Sequence, residues 1–352
     1  YVLLTSVFDN NKRHKIVVHI IATGVSENEK TKMSHFMKEN NISSPEYNIF
    51  SEPEKAKDFV YNTNKSLVIK ADGLAAGKGV VVCDNKEDAL NAIDSIMIRK
   101  NFGNSGNIIV IEERLFGKEV SVIGLSDGDT IIPMATAQDH KRIYENDKGP
   151  NTGGMGSFSP SKIISNNLFN DIIDKIMKKT IHSMKKNNNP FVGFLYAGLM
   201  IEKDTQKPYV LEYNVRMGDP ECQSIMMRMN SDLYDYIKCS ISGTLDTLPP
   251  ISWSENPAVC VVMAEKGYPS KHPNGNVIHG LNSHFPPNIK IFHAGTIRDN
   301  NNKILTSGGR VLGVTAIGRD FDKARSDAYD SVRKIYWGKD NQYYRKDIGL
   351  NA

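Results

Sequence analysis

Three groups of residues have the types and spacing for chemistry on a polyphosphate. The first begins at Lys70, which closes the β-branched run Ser66–Lys70. Ala71-Asp72-Gly73-Leu74-Ala75-Ala76-Gly77-Lys78-Gly79 follows, and then the second run Val80-Val81-Val82. Glycines let backbone N–H groups close on phosphate oxygens, and a lysine neutralises their charge. A P-loop is excluded, because Gly79 stands where Ser or Thr is needed and a strand, not a helix, comes next. No strand–GxGxxG–helix fingerprint occurs either. The bland reading is a Gly-rich hairpin with an exposed lysine. The loop is too long for a two-residue turn and is apolar at Leu74-Ala75-Ala76, which favours a lid over a triphosphate, with Gly77, Lys78 and Gly79 at its tip.

The second group is Glu212-Tyr213-Asn214-Val215-Arg216. Strand side chains alternate, so Glu212, Asn214 and Arg216 share a face. Glu212 and Asn214 offer hard oxygens suited to Mg²⁺ shared with nucleotide phosphates, and Arg216 adds a fork for a carboxylate or phosphate. The polar face of an edge strand is the competing reading, weakened by the adjoining turn Gly218-Asp219-Pro220-Glu221. The third group is Glu112-Glu113-Arg114-Leu115, where backbone groups crossing between strands can pair with an adenine edge. Glu119, which opens the next strand, can accept from ribose hydroxyls. For isolated carboxylates a solvated turn is the commoner explanation.

A polar stretch from Ala135 to Pro160 contains Gln138-Asp139-His140-Lys141-Arg142 and Gly149-Pro150-Asn151-Thr152-Gly153-Gly154-Met155-Gly156. Long loops inside a compact domain are usually functional or disordered. The glycine-rich part suits an anion-binding nest. The charged part offers groups for an amine and a carboxylate. His140 alone is read as a structural hydrogen-bonder.

The elements that must hold these groups follow from periodicity. Helices are expected at Lys30–Asn40, at Pro53–Tyr61 with Ser51 as cap, at Lys86–Lys100, at Ser165–Lys186, at Ser231–Ile241 and near Phe321–Ile335. Strands are expected at Lys15–Ala22, Ile108–Glu112, Val120–Gly124, Thr130–Met134, Leu195–Glu202, Tyr209–Asn214, Ala258–Met263, Ile289–Phe292 and Arg310–Thr315. Leu248-Pro249-Pro250 marks a domain boundary, since two prolines stop both helix and central strand. The pattern is α+β with antiparallel hairpins, without the βαβα alternation of a doubly wound fold.

Composition agrees with a folded, globular core. The 352 residues are 39% hydrophobic and 24% charged, enough for a sizeable core. Lys plus Arg is 44 against 40 for Asp plus Glu, a balance that does not mark a nucleic-acid binder. No apolar run approaches the roughly 18 residues of a membrane span. The four cysteines form no CxxC pair and read as buried, reduced thiols.

With these motifs assembled, the chain from about Lys30 to Ala352 resembles the phosphoribosylamine–glycine ligase family of the ATP-grasp superfamily. The resemblance is carried by Val68–Val80, Gln138–Arg142, Gly149–Gly156, Tyr196–Met200, Asn214–Glu221, Phe292–Thr296, Gly308–Leu312 and Tyr344–Gly349. It implies two β-rich subdomains clamping ATP, followed by a small C-terminal α/β domain. The implied division is an unmatched 1–29, an ATP-grasp part at 30–248 with 65–125 as lid subdomain, and a C-terminal domain at 249–352. The implied reaction joins glycine to 5-phosphoribosylamine through glycyl phosphate, giving glycinamide ribonucleotide, ADP and phosphate in cytoplasmic purine synthesis, with no membrane or nucleic-acid partner.

The resemblance also distributes roles. Lys70 would hold nucleotide phosphates beneath the lid of Gly77, Lys78 and Gly79. Glu112, Glu113 and the Leu115 backbone would meet adenine, and Glu119 the ribose. Glu212 and Asn214 would bind Mg²⁺ or Mn²⁺. Arg216 and Asp139 would hold glycine. Lys141 and the loop Asn151, Thr152, Gly153, Gly154, Met155 and Gly156 would face the phosphoribosylamine.

Two features depart from the family. Its members open with a further domain of about a hundred residues, an ordinary small-domain size, bearing a Gly-Ser-Gly-Gly-Arg-Glu-His signature not found here. Ser34 also stands where the family pattern has a phosphate-contacting lysine. The alternatives are therefore a non-catalytic ATP-binding remnant and another ATP-grasp carboxylate–amine ligase. In eukaryotes the family domain often heads a fusion with later purine-pathway enzymes, so such a fusion is a further expectation.

Overall fold

The computed structural model describes residues 2–8, 14–20, 29–73, 79–339 and 341–352, with side chains from residue 30 onward. An antiparallel ribbon of Val2–Phe8 with His14–Ile20 comes first, covering most of the run expected at Lys15–Ala22. All pairings between the named strands are antiparallel, in keeping with the α+β expectation.

The first of three larger sheets has the order Tyr47–Phe50, Ile109–Glu113, Leu67–Ala71, Val80–Val82. Alternation sends Leu67, Ile69, Ala71, Ile109 and Ile111 to one face, where they bury against the helices Pro53–Asn62 and Lys86–Ile93. Lys70 and Glu112 point to the other face. Pro53 starts its helix because its missing N–H costs nothing there. The cap is Glu52 rather than the expected Ser51, and no side chain closes it. The next helix is capped by Asn85, whose side chain accepts from Asp88 N–H at 2.8 Å.

The second sheet runs Pro208–Asn214, Val192–Glu202, Gly117–Asp127, Ile131–Pro133. Val120, Val122, Ala197, Leu199, Ile201 and Val210 face a helical stretch from Asn166 to Lys186 and bury Ile172, Ile176 and Ile181 with it. The opposite face is divided. Ile123, Leu125, Phe194 and Tyr196 lie in a core with Tyr236 of the helix Leu233–Ser242. Glu119, Ser121, Gly198, Glu212 and Asn214 occupy the remainder.

The third sheet has the order Ile289–His293, Arg310–Ile317, Ala258–Glu265, Gly156–Ser159, Gln138–Asp139, with Gln342–Tyr343 also on Ala258–Glu265. The helix Phe321–Val332 covers one face, burying Ala324, Ala328 and Val332 against Val259, Val261 and Val314. The short helix Glu221–Met226 lies against the other.

The stretch from Ala135 to Pro160 is therefore not one long loop. It contains four short strands, Gln138–Asp139, Arg142–Tyr144, Lys148–Asn151 and Gly156–Ser159. The last pairs with Ala258–Glu265, which follows Leu248-Pro249-Pro250, and the first pairs with the last, so the third sheet draws on both sides of that step. No helix among the described residues is long and apolar enough to cross a membrane.

Candidate active site

Lys70 and Glu112 lie diagonally on neighbouring strands, since Lys70 pairs with Val110 and Glu112 with Val68. Their side chains form a buried ion pair with Nζ 2.6 Å from Oε2. Lys70 Nζ also donates to the Leu211 carbonyl at 3.2 Å, which links the first sheet to the second. Glu113, one residue on, turns to the other side, where Lys65 and the Glu46 N–H hold it. The structure thus separates Glu112 from Glu113. Leu115 is half-buried in the short connection to the second sheet. Gly79 closes the hairpin, its carbonyl accepting from Ala71 N–H at 2.7 Å. Gly77 and Lys78 lie outside the described residues.

On the second sheet, Lys141 brings two strands' carboxylates together. Its Nζ is 3.0 Å from Glu119 Oε2 and 3.8 Å from Glu212 Oε1. Glu212 lies opposite Gly198, and its Cγ sits 3.0 Å from where a Cβ at that glycine would be, so a larger residue there would displace it. Asn214 is opposite Tyr196 on the same face. Burial raises the Asp139 carboxyl; Lys141 draws it back down, and Glu221, Glu119 and Glu212 raise it further, leaving it well above the ordinary aspartate range. Burial lowers Lys141, but Asp139 and then Glu119 outweigh that and hold it well above the ordinary lysine value. Asp139 and Lys141, both half-buried, thus bias each other's charge amid several carboxylates.

The strand carrying Glu212 and Asn214 stops at Asn214, so the alternation expected to align Arg216 does not extend that far. Arg216 is exposed, and its Nη1 donates to the Met217 carbonyl at 2.9 Å. The loop expected to meet substrate divides as well. Asn151 is exposed, and Thr152 returns to the Lys141 carbonyl through both N–H, at 2.7 Å, and hydroxyl, at 2.8 Å. The Gly153 carbonyl accepts from Arg310 Nη1 at 2.6 Å, and Arg310 also holds Asp219. Gly154 packs against Pro220. Met155 is fully buried beside Ile143 and Ala264, and Gly156 opens a buried sheet strand. Their side of the segment is core, not surface.

Three residues of the site were not singled out from sequence. Glu221 is buried, and its Oε1 accepts from Ser121 Oγ and Tyr196 Oη, each at 2.9 Å. Burial and the Glu221 charge raise Tyr196 well above the ordinary tyrosine value, so it serves as a neutral donor. The signal available was the carboxylate in the Gly-Asp-Pro-Glu turn and the Tyr opening Tyr196-Ala197-Gly198. The cysteines are free, and burial pushes Cys83 and Cys222 to about 11 and Cys260 to about 12, which makes them inert.

The donor set suits a hard divalent cation. Glu212 is half-exposed and Asn214 presents an amide oxygen beside it. Among the described residues no three His, Cys, Asp or Glu side chains converge into a metal cage. Two protein oxygens, completed by ligand phosphates and water, are what Mg²⁺ generally takes.

Two family models match the chain. The phosphoribosylglycinamide synthetase ATP-grasp (A) domain matches residues 28–222, and the C domain of the same synthetase matches residues 258–351. A chloroplastic phosphoribosylamine–glycine ligase of Arabidopsis thaliana is 42% identical over 328 residues, covering 93% of this chain and 61% of its own length. The ligase of Yersinia pestis is 43% identical over 326 residues, covering 93% and 75%. A trifunctional purine biosynthetic protein of Gallus gallus is 44% identical over 327 residues, 93% of this chain but 32% of that one. The crystal structure of the Thermotoga maritima phosphoribosylamine–glycine ligase superposes with a TM-score of 0.80 at 32% identity, covering 91% of this chain and 78% of that one.

Proposed function

This chain belongs to the phosphoribosylglycinamide synthetase family and has its ATP-grasp fold, and from that premise we propose that it ligates glycine to 5-phosphoribosylamine at the expense of ATP. The observation that carries the reading is Lys141, set between Glu119 and Glu212 on the polar half of the second sheet. It gathers in one place the residues assigned to nucleotide, cation and acceptor.

The chemistry has two steps. A glycine carboxylate oxygen attacks the γ-phosphorus of ATP, and the bond to ADP breaks, giving glycyl phosphate. The acceptor amine then attacks the glycyl carbonyl, phosphate leaves with the bonding pair, and the amine gives up a proton. No side-chain nucleophile is needed; positioning and charge stabilisation suffice.

In this reading Lys70 neutralises phosphate oxygens while Glu112 holds its ammonium in place and lies near the base. Gly79 fixes one end of the lid, whose remaining members are Gly77 and Lys78. Glu212 and Asn214 hold Mg²⁺ or Mn²⁺, which when bound spreads the charge of the transferring phosphoryl group. Arg216 and Asp139 hold glycine. Lys141 and Asn151–Gly154 face the phosphoribosylamine, with Met155 and Gly156 supporting that loop from the core side. Glu221, Ser121 and Tyr196 fix the floor beneath Asp139.

The chain spans 61% of the Arabidopsis relative and 75% of the Yersinia one, so the activity of the whole protein is part of the proposal. So are a cytoplasmic location and fusion to later purine-pathway domains, the second favoured by the trifunctional Gallus gallus relative. The test is ADP release with ATP, Mg²⁺, glycine and phosphoribosylamine generated in situ. Release that requires both glycine and the amine is expected. An intact affinity for an ATP analogue without glycine-dependent release would favour the ATP-binding remnant instead.

A further inference from the structure

Residues near the C-terminus run along the hairpin of Arg142–Tyr144 and Lys148–Asn151, about 200 positions earlier in the chain. The Tyr343 hydroxyl donates to the Ile143 carbonyl at 3.0 Å, and Lys346 N–H to Glu145 Oε1 at 3.2 Å. Between them lies Arg345, whose side chain is 1% exposed. Its Nε and Nη2 form a fork on Asp347, at 2.8 and 2.6 Å. Its Nη1 donates to Asp147 Oδ1 at 2.8 Å and to the Arg142 carbonyl at 3.0 Å. Asp347 Oδ2 in turn accepts from Asn146 N–H at 2.9 Å.

The hairpin needs this support. At its tip Asn146 and Asp147 both have left-handed backbones, with φ of 57° and 52°, a pairing that two consecutive non-glycine residues seldom adopt. Arg345 and Asp347 hold that tip from its other side. The foot of the same hairpin is Lys141, whose carbonyl Thr152 clasps from the returning strand. An arginine this enclosed, with its donors turned to protein acceptors, is not a substrate contact.

We propose that Arg345 is a positioning residue for the ligation site: by locking the Asn146–Asp147 turn it sets where Lys141 stands between Glu119 and Glu212. The inference rests on the acceptor role given to Lys141 above and adds what fixes that lysine. Freed of Arg345, the hairpin exchanges among other conformers, and Lys141 meets both carboxylates in only a fraction of molecules.

The experiment combines Arg345→Met, Lys141→Met and the double variant, all in the full chain. Arg345→Met should lower kcat for glycine-dependent ADP release about 10- to 100-fold, the scale of a roughly 1 Å misplacement, and should raise the acceptor KM. The affinity for an ATP analogue should hold within about twofold. In the Lys141→Met background, Arg345→Met should cost nothing further, because the two act as one unit. Equal loss of analogue affinity, or losses that multiply in the double variant, overturns the inference while leaving the reading of Lys141 intact. Wild-type kinetics in Lys141→Met alone overturns that reading and the inference with it. Should Arg345→Met not fold, Asp147→Ala removes the tip contact from the exposed side and must reproduce the same split between kcat and analogue affinity.

Discussion

Lys70 Nζ stands 2.6 Å from Glu112 Oε2, both side chains shut away from water, and the same ammonium reaches the Leu211 carbonyl on the next sheet. Removing one member of such a pair leaves an uncompensated buried charge, which typically costs about 3–5 kcal/mol. Glu112→Ala should therefore lower stability by that order, read as a shift in the urea midpoint. It should also weaken binding of an ATP analogue, because Lys70 loses the partner that aims it. Glu112→Leu with Lys70→Met should cost less stability than Glu112→Ala alone, since no charge is stranded, yet still bind the analogue poorly. A single variant as stable as the wild type would show that the pair contributes nothing.

Glu212 is the opposite case. Its side chain is half-exposed and lies flat over Gly198, contributing little to any core. Glu212→Ala should alter stability by no more than about 0.5 kcal/mol and abolish metal-dependent turnover. Titrating Mg²⁺ and then Mn²⁺ into the glycine-dependent assay checks this. Normal metal dependence in a folded variant would remove Glu212 from the cation site.

These contrasts mark where sequence was informative. Ile109–Glu113, Val192–Glu202 and Arg310–Ile317 are runs rich in apolar residues that bury at least one face, and their positions were legible within a few residues. That Glu212 and Asn214 share a face was legible from strand alternation. Gly156–Ser159 was not. Its glycine, serines and flanking proline read as loop, and its strand character comes from Ala258–Glu265, about a hundred residues later. Arg216 was misaligned because periodicity cannot tell where a strand ends. Glu221 takes its place in the floor from Ser121 and Tyr196, which lie 100 and 25 positions away, and no local pattern encodes that meeting.

Gly154 tests how closely the loop proposed to face the acceptor approaches the Asp219–Pro220 turn. Its φ is +111°, and a Cβ there would lie 2.4 Å from Pro220 Cδ. Gly154→Ala faces both backbone strain and a clash with a rigid ring, so it should cost more than about 1 kcal/mol. The displacement falls on the loop that Arg310 ties to Asp219. The KM for the acceptor should therefore rise severalfold, with ATP-analogue affinity unchanged. Steady-state kinetics with the acceptor varied at saturating ATP separates this from a general loss of fold, in which both would fall.

Asp139 gives the protein a pH dependence with a definite sign. Burial, reinforced by Glu221, Glu119 and Glu212 against the opposing pull of Lys141, raises its carboxyl in the folded state. A group with a raised folded pKa binds more protons folded than unfolded. Its contribution to stability is full below the ordinary aspartate value and is lost as pH rises through the raised one. Lys141 is raised as well, from an already high value, so its contribution persists until strongly alkaline pH. The ligand-free protein should thus become less stable as pH rises from the ordinary carboxylate range toward the raised value of Asp139, and Asp139→Asn should flatten that slope. Thermal melts of both proteins across the interval, at fixed ionic strength, make the comparison. Parallel slopes for the two would mean that Asp139 stays ionised in the fold, held by Lys141 alone.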